Sequence, residues 1–113
     1  MPFIDSKISV KVSDEKKDII KAELGKAASI IGKPESFVMI GFDDEYTLYF
    51  GGQKMEKAVY VSVDVLGSSN SPACEQMTAK ICEIYERELG IPSRNIYVDY
   101  RSTPDWGWDG RNF

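Results

Sequence analysis

Gly32-Lys33-Pro34-Glu35-Ser36-Phe37-Val38-Met39-Ile40 and Gly90-Ile91-Pro92-Ser93-Arg94-Asn95-Ile96-Tyr97-Val98 are one phrase written twice, 58 residues apart. Each opens on Gly-x-Pro, passes through polar residues and enters a hydrophobic run. The same offset puts Ser13 on Ser71, Ile19 on Met77 and Ile31 on Leu89. It also puts Leu48, Phe50 and Gly52 on Trp106, Trp108 and Gly110. Identities are few, so the argument for a duplication rests on the order of element types rather than on matched letters. The repeats span about 1–57 and 58–113, and 113 residues leave room for a single domain.

Working outward, each copy begins with a strand. One runs from Pro2 to Val12. The other runs from Ala58 to Leu66, where Val59, Val61, Val63 and Val65 alternate with Tyr60, Ser62, Asp64 and Leu66. A helix follows. In the first copy Ser13 suits the N-cap, Asp14 and Glu15 suit the first turn, and Ile20, Leu24, Ala27, Ala28 and Ile31 make an apolar stripe. In the second, Ser71 is the predicted cap, Pro72 the first helical residue, and Met77, Ile81, Ile84 and Tyr85 the stripe. Gly32 with Pro34, and Gly90 with Pro92, stop the two helices.

Strands over Phe37 to Phe42 and Ile96 to Tyr100 come next. Short aromatic strands, Tyr46 to Phe50 and Trp106 to Trp108, close the copies. Two β-α-β units predict an α+β fold: a four-stranded mixed sheet, two helices on one face, and short edge strands. The other face of these valine-rich strands is left uncovered, which predicts an oligomer.

Composition narrows the function. With 42% apolar and 28% charged residues the chain reads as globular. A net charge of −4 and no block of basic residues argue against nucleic acid or an anionic membrane as partner. Apolar runs are too short to span a bilayer, and Asp5 and Lys7 break any signal-peptide pattern. The chain has no histidine, which excludes Ser-His-Asp, Cys-His and histidine-ligated zinc chemistry. Acid–base work near neutrality is left to a shifted carboxylate, a cysteine or an α-amino group. Cys74 and Cys82 lie in a helical pattern about 12 Å apart along the axis, too far for a disulfide with each other. Asp43-Asp44-Glu45 lacks a calcium-loop pattern and reads as a solvated turn. No metal or cofactor is expected.

Pro2-Phe3-Ile4, Gly32-Lys33-Pro34, Phe50-Gly51-Gly52, Ile96-Tyr97-Val98 and Gly107-Trp108, in this order and spacing, resemble the macrophage migration inhibitory factor family of the tautomerase superfamily. The resemblance covers essentially the whole chain. It implies a homotrimer with active sites between neighbouring subunits, and a Pro2 that becomes the catalytic base once Met1 is removed. It implies Lys33 for the substrate carboxylate, backbone of Val65 in the pocket, Tyr97 from the adjacent subunit, and Trp106, Trp108 and Phe113 on or near an aromatic wall. The implied substrates are small aromatic keto acids such as phenylpyruvate, or dopachrome-like compounds.

The chemistry is consistent with those residue types. A chain-terminal proline is a secondary amine, and burial near a lysine disfavours its ammonium form twice, leaving a neutral base. Two departures matter. No Cys-x-x-Cys stands near Lys57 to Tyr60, so thiol oxidoreductase activity is poorly supported. Asp99 takes a position where the family commonly has asparagine, and a carboxylate there would repel an anionic substrate. The plainer roles stay open: Lys33 suits a helix C-terminus, and Tyr97, Trp106 and Trp108 suit packing. The alternative function is a cytokine-like ligand of a cell-surface receptor. The enzyme is expected in the cytoplasm, and the ligand would need secretion without a signal peptide.

Overall fold

Alternation becomes strand β5 (Val59–Leu66), whose valines are buried and whose intervening residues are half-exposed. A computed structural model describes residues 2–113. β1 (Pro2–Ile8) pairs antiparallel with β5 and parallel with β2 (Met39–Asp43). β6 (Ile96–Thr103) pairs parallel with β5, giving the order β2-β1-β5-β6. Two hairpins stand apart from this sheet: β3 (Tyr49–Phe50) with β4 (Gln53–Lys54), and β7 (Gly107–Trp108) with β8 (Arg111–Asn112).

Helices α1 (Asp14–Ala27) and α2 (Ser71–Leu89) cover one sheet face. Ile20 and Leu24 of α1 and Met77, Ile81 and Ile84 of α2 join Ile4, Ile8, Val61 and Val63 in one buried cluster. Burying each such side chain contributes about 1.5–3 kcal/mol, which is why the stripes outweigh local propensity. One polar group enters this layer. Ser6 is fully buried, and the buried Tyr85 hydroxyl donates to its Oγ at 2.6 Å. Desolvation pushes the Tyr85 hydroxyl well above its ordinary pKa, so it stays a neutral donor.

Several boundaries differ from the sequence reading. β1 ends at Ile8 rather than Val12, because other groups claim the backbone beyond it. Ser9 Oγ donates to the Glu56 carbonyl and accepts from the Ala58 N–H, and Asp44 Oδ2 accepts the Val12 N–H at 2.8 Å. Ser13 caps α1 as expected, accepting from the Lys16 N–H. The cap of α2 is Asn70, not Ser71: Asn70 is extended and its Oδ1 accepts the Ala73 N–H at 2.9 Å. Phe37 belongs to a 3₁₀ turn (Glu35–Phe37), so β2 begins at Met39.

The uncovered face also differs from expectation. The valines of β5 point at the helices, and the open side carries mixed chemistry. Pairing register sets it in rows: Lys7, Tyr60 and Tyr97; Asp5, Ser62 and Asp99; Phe3, Asp64 and Arg101. Lys7 pairs with Asp5 at 3.1 Å, and Arg101 with Asp99 at 2.8 Å. A partner for this face would meet organised charge rather than a valine surface.

Candidate active site

The end of β5 is where the chemistry gathers. Pro2, the first residue of β1, lies opposite Val65. Gly32 takes the left-handed conformation (φ 75°) that ends the first helical segment, and the Lys33 N–H donates back to the Ala28 carbonyl. The Lys33 side chain then reaches across, and its Nζ donates to the carbonyl of Leu66 at 3.0 Å. Pro2 and Lys33 thus converge on consecutive residues of one strand from different elements. Val65 is 1% exposed with its side chain in the core, so it offers backbone only.

Pro2 lines a groove of about 520 Å³ with Phe3, Phe37, Met39, Trp106 and Trp108. That volume suits a small aromatic molecule. The tryptophans are carried by the second hairpin, whose turn at Asp109 (φ 53°) and Gly110 (φ 84°) has the two positive φ angles of a tight hairpin. Trp108 meets the edge of Phe37 at 6.2 Å and an 83° angle between ring planes, and stacks on Phe113 at 5.9 Å and 8°. The Phe113 N–H donates to the Trp106 carbonyl at 3.0 Å. Phe113 supports the wall from behind and does not itself line the Pro2 groove.

Tyr97 and Asp99 lie elsewhere in the chain. Tyr97 stands beside Tyr60, five residues from Val65 along β5, or about 17 Å. It is 61% exposed and packs on Phe50 with centroids 5.0 Å apart, in a second groove of about 310 Å³ that includes Leu48, Tyr60 and Asn95. One copy therefore does not bring Tyr97 to its own Pro2. Asp99 Oδ2 accepts from Arg101 Nε at 2.8 Å and from the Tyr60 hydroxyl at 3.0 Å. These partners, Arg101 first, hold the Asp99 carboxyl below its usual range, so the charge the sequence reading treated as bare is paired.

Phe3, Phe37 and Met39 were not among the residues the sequence singled out. The offset of 58 held a signal, since Phe37 stands where the other copy has the polar Asn95. Both thiols are free, and burial pushes the Cys82 thiol up with Glu86 adding to it, the reverse of what a reactive cysteine needs. Removal of Met1, on which the proline chemistry depends, falls on a residue outside those described.

This geometry has counterparts. The family model for macrophage migration inhibitory factor (MIF) matches residues 1–113. A macrophage migration inhibitory factor homolog of Trichinella spiralis is 24% identical over 115 residues, covering all of both chains. The crystal structure of Leishmania major MIF2 superposes with a TM-score of 0.93 and 38% identity, covering 100% of this chain and 97% of that one. The MIF-like protein of Entamoeba histolytica follows at 0.88 and 25%, covering 99% and 98%. A full-length family match, near-complete superposition and a proline at the start of β1 agree, and the chain belongs to the macrophage migration inhibitory factor family.

Proposed function

We propose that this protein is a keto–enol tautomerase of small aromatic α-keto acids such as phenylpyruvate, or of dopachrome-like compounds, with Pro2 as general base after Met1 is removed. The observation that carries the reading is Pro2 in an aromatic groove, with the Lys33 ammonium held at the adjoining end of β5. The freed proline nitrogen would be a secondary amine whose charged form is disfavoured by burial and by Lys33. It takes the proton α to the ketone, the electron pair moves onto the carbonyl oxygen, and the proton is returned to that oxygen to give the enol. The reverse sequence gives the keto form. Lys33 binds the substrate carboxylate, exchanging its contact with the Leu66 carbonyl for an ionic one, and Trp106, Trp108 and Phe37 hold the ring.

The same reading makes the working unit a homotrimer. The open sheet face with its paired charges then lies against other copies, and Tyr97 and Asp99 of one copy approach Pro2 of the next. No cofactor enters the scheme.

The test is phenylpyruvate tautomerisation followed by absorbance, with protein whose intact mass shows Met1 gone. Pro2→Gly is expected to lower kcat/KM by about 10²–10⁴-fold. Lys33→Ala is expected to raise KM about tenfold or more, the scale of a lost charged hydrogen bond. Processed wild type with no activity would turn the assignment toward the receptor-ligand function, which should survive Pro2→Gly because it uses an outer surface.

A further inference from the structure

Asp99 and Arg101 are two residues apart on β6, so both point to the open face, and the guanidinium Nε meets the carboxylate at 2.8 Å. Tyr60, one strand over, donates to the same oxygen at 3.0 Å. Arg101 also lies in register with Asp64, which sits between it and Phe3, the neighbour of Pro2. The face is rich in acid, with Asp5, Asp64 and Asp99 against Lys7 and Arg101. Lys7 is committed to Asp5, leaving Arg101 as the cation between Asp99 and Asp64.

We propose that Arg101 is a positioning residue that sets the substrate charge tolerated by the site: by pairing with Asp99 it keeps the pocket open to a substrate carrying a carboxylate. This rests on the tautomerase reading, in which Asp99 of one copy approaches the substrate at Pro2 of the next. A carboxylate bound by Lys33 would otherwise face the full charge of Asp99. Arg101 offsets that charge through its contact with Asp99 Oδ2 and is assigned no contact with substrate. In a single copy its side chain is 69% exposed, so its removal leaves the core of the subunit intact.

The experiment compares phenylpyruvate with its uncharged methyl ester, on the plateau of the pH–rate profile so that proline protonation does not enter. In Arg101→Ala, KM for phenylpyruvate is expected to rise about fivefold relative to KM for the ester, the scale of one unpaired charge several ångströms away in a medium of intermediate dielectric constant. The change in kcat should stay within about twofold, and the excess should shrink in 1 M salt, where screening acts over about 3 Å. Arg101→Lys should recover most of the loss. Adding Asp99→Asn to Arg101→Ala should abolish the difference between acid and ester. Equal losses for both substrates, or no loss for either, would overturn the proposal and leave Arg101 as surface structure. Wild type and Pro2→Gly run alongside: if these two are alike, the tautomerase reading itself fails and takes the proposal with it.

Discussion

The two halves of this chain build the same scaffold, but the proline and the lysine of the proposed site both come from the first. An offset of 58 maps the 3₁₀ turn Glu35–Phe37 onto Ser93–Asn95, Tyr49–Phe50 onto Gly107–Trp108, and Gln53–Lys54 onto Arg111–Asn112. Gly32 and Gly90 both end their helices in the left-handed conformation. The grooves correspond as well: Trp106 and Trp108 beside Pro2 and Phe3 answer to Leu48 and Phe50 beside Val59 and Tyr60. Pro2 corresponds to Val59, however, since Phe3 pairs with Met39 as Tyr60 pairs with Tyr97, and Lys33 corresponds to Ile91, which is fully buried. A secondary-amine base exists only at a chain terminus, so duplicating the fold cannot duplicate the base. The second copy has filled the lysine position with core.

The sharpest test of the equivalence is in the core. Leu24 and its counterpart Ile81, 57 residues on as the cap Asn70 is from the cap Ser13, are both fully buried. Leu24→Ala and Ile81→Ala should each cost about 2–5 kcal/mol in denaturant unfolding. A loss at one far below the loss at the other would mean the halves pack less alike than burial indicates.

A smaller effect tests the buried hydroxyl pair. Ser6 corresponds to Val63, equally buried but apolar, so the Tyr85–Ser6 hydrogen bond has no equivalent in the other copy. Ser6→Ala strands a buried donor and should cost about 1–3 kcal/mol, with Tyr85→Phe costing less because the small Ser6 hydroxyl is easier to satisfy.

The smallest is a pH effect confined to the first copy. Asp44 accepts the Val12 N–H, and that bond, with Lys17 adding, holds its carboxyl below the ordinary range. A depressed folded-state pKa contributes stability above the unfolded value of about 4, and the contribution is lost as pH falls through the folded value. Asp44→Asn should therefore narrow the stability gap between pH 7 and pH 3, read from midpoints of chemical unfolding. An unchanged gap would remove Asp44 from the acid response.

How much of this was legible depended on whether the determining contact was local. Period-2 alternation and glycine–proline punctuation marked the four sheet strands, and the helical stripe marked Met77, Ile81, Ile84 and Tyr85 of α2, though not the buried Cys74. The end of β1 was not legible. Val10 and Val12 continue the apolar alternation, but the groups that hold this segment, Glu56 through the Ser9 hydroxyl and Asp44 through the Val12 N–H, lie 47 and 32 residues beyond their partners. At the site, Pro2 and Lys33 were readable through the family resemblance, and the hairpin tryptophans with them. Phe37 and Met39 were not, because Phe37 ends a 3₁₀ turn, Glu35–Phe37, and Met39 opens the strand that follows it. The Asp99–Arg101 pair was open to inspection, since residues two apart on a strand share a face. The position of Tyr97, at the far end of the sheet from Pro2, follows from register and not from any local pattern.

The tryptophans of the second hairpin have an optical consequence. The chain contains two tryptophans, Trp106 and Trp108, and both line the Pro2 groove, whereas the second groove is walled by leucine, phenylalanine and tyrosine. Light absorbed selectively by indole is thus absorbed only at the groove. Emission intensity and colour become a native reporter of what occupies it, with no dye and no label.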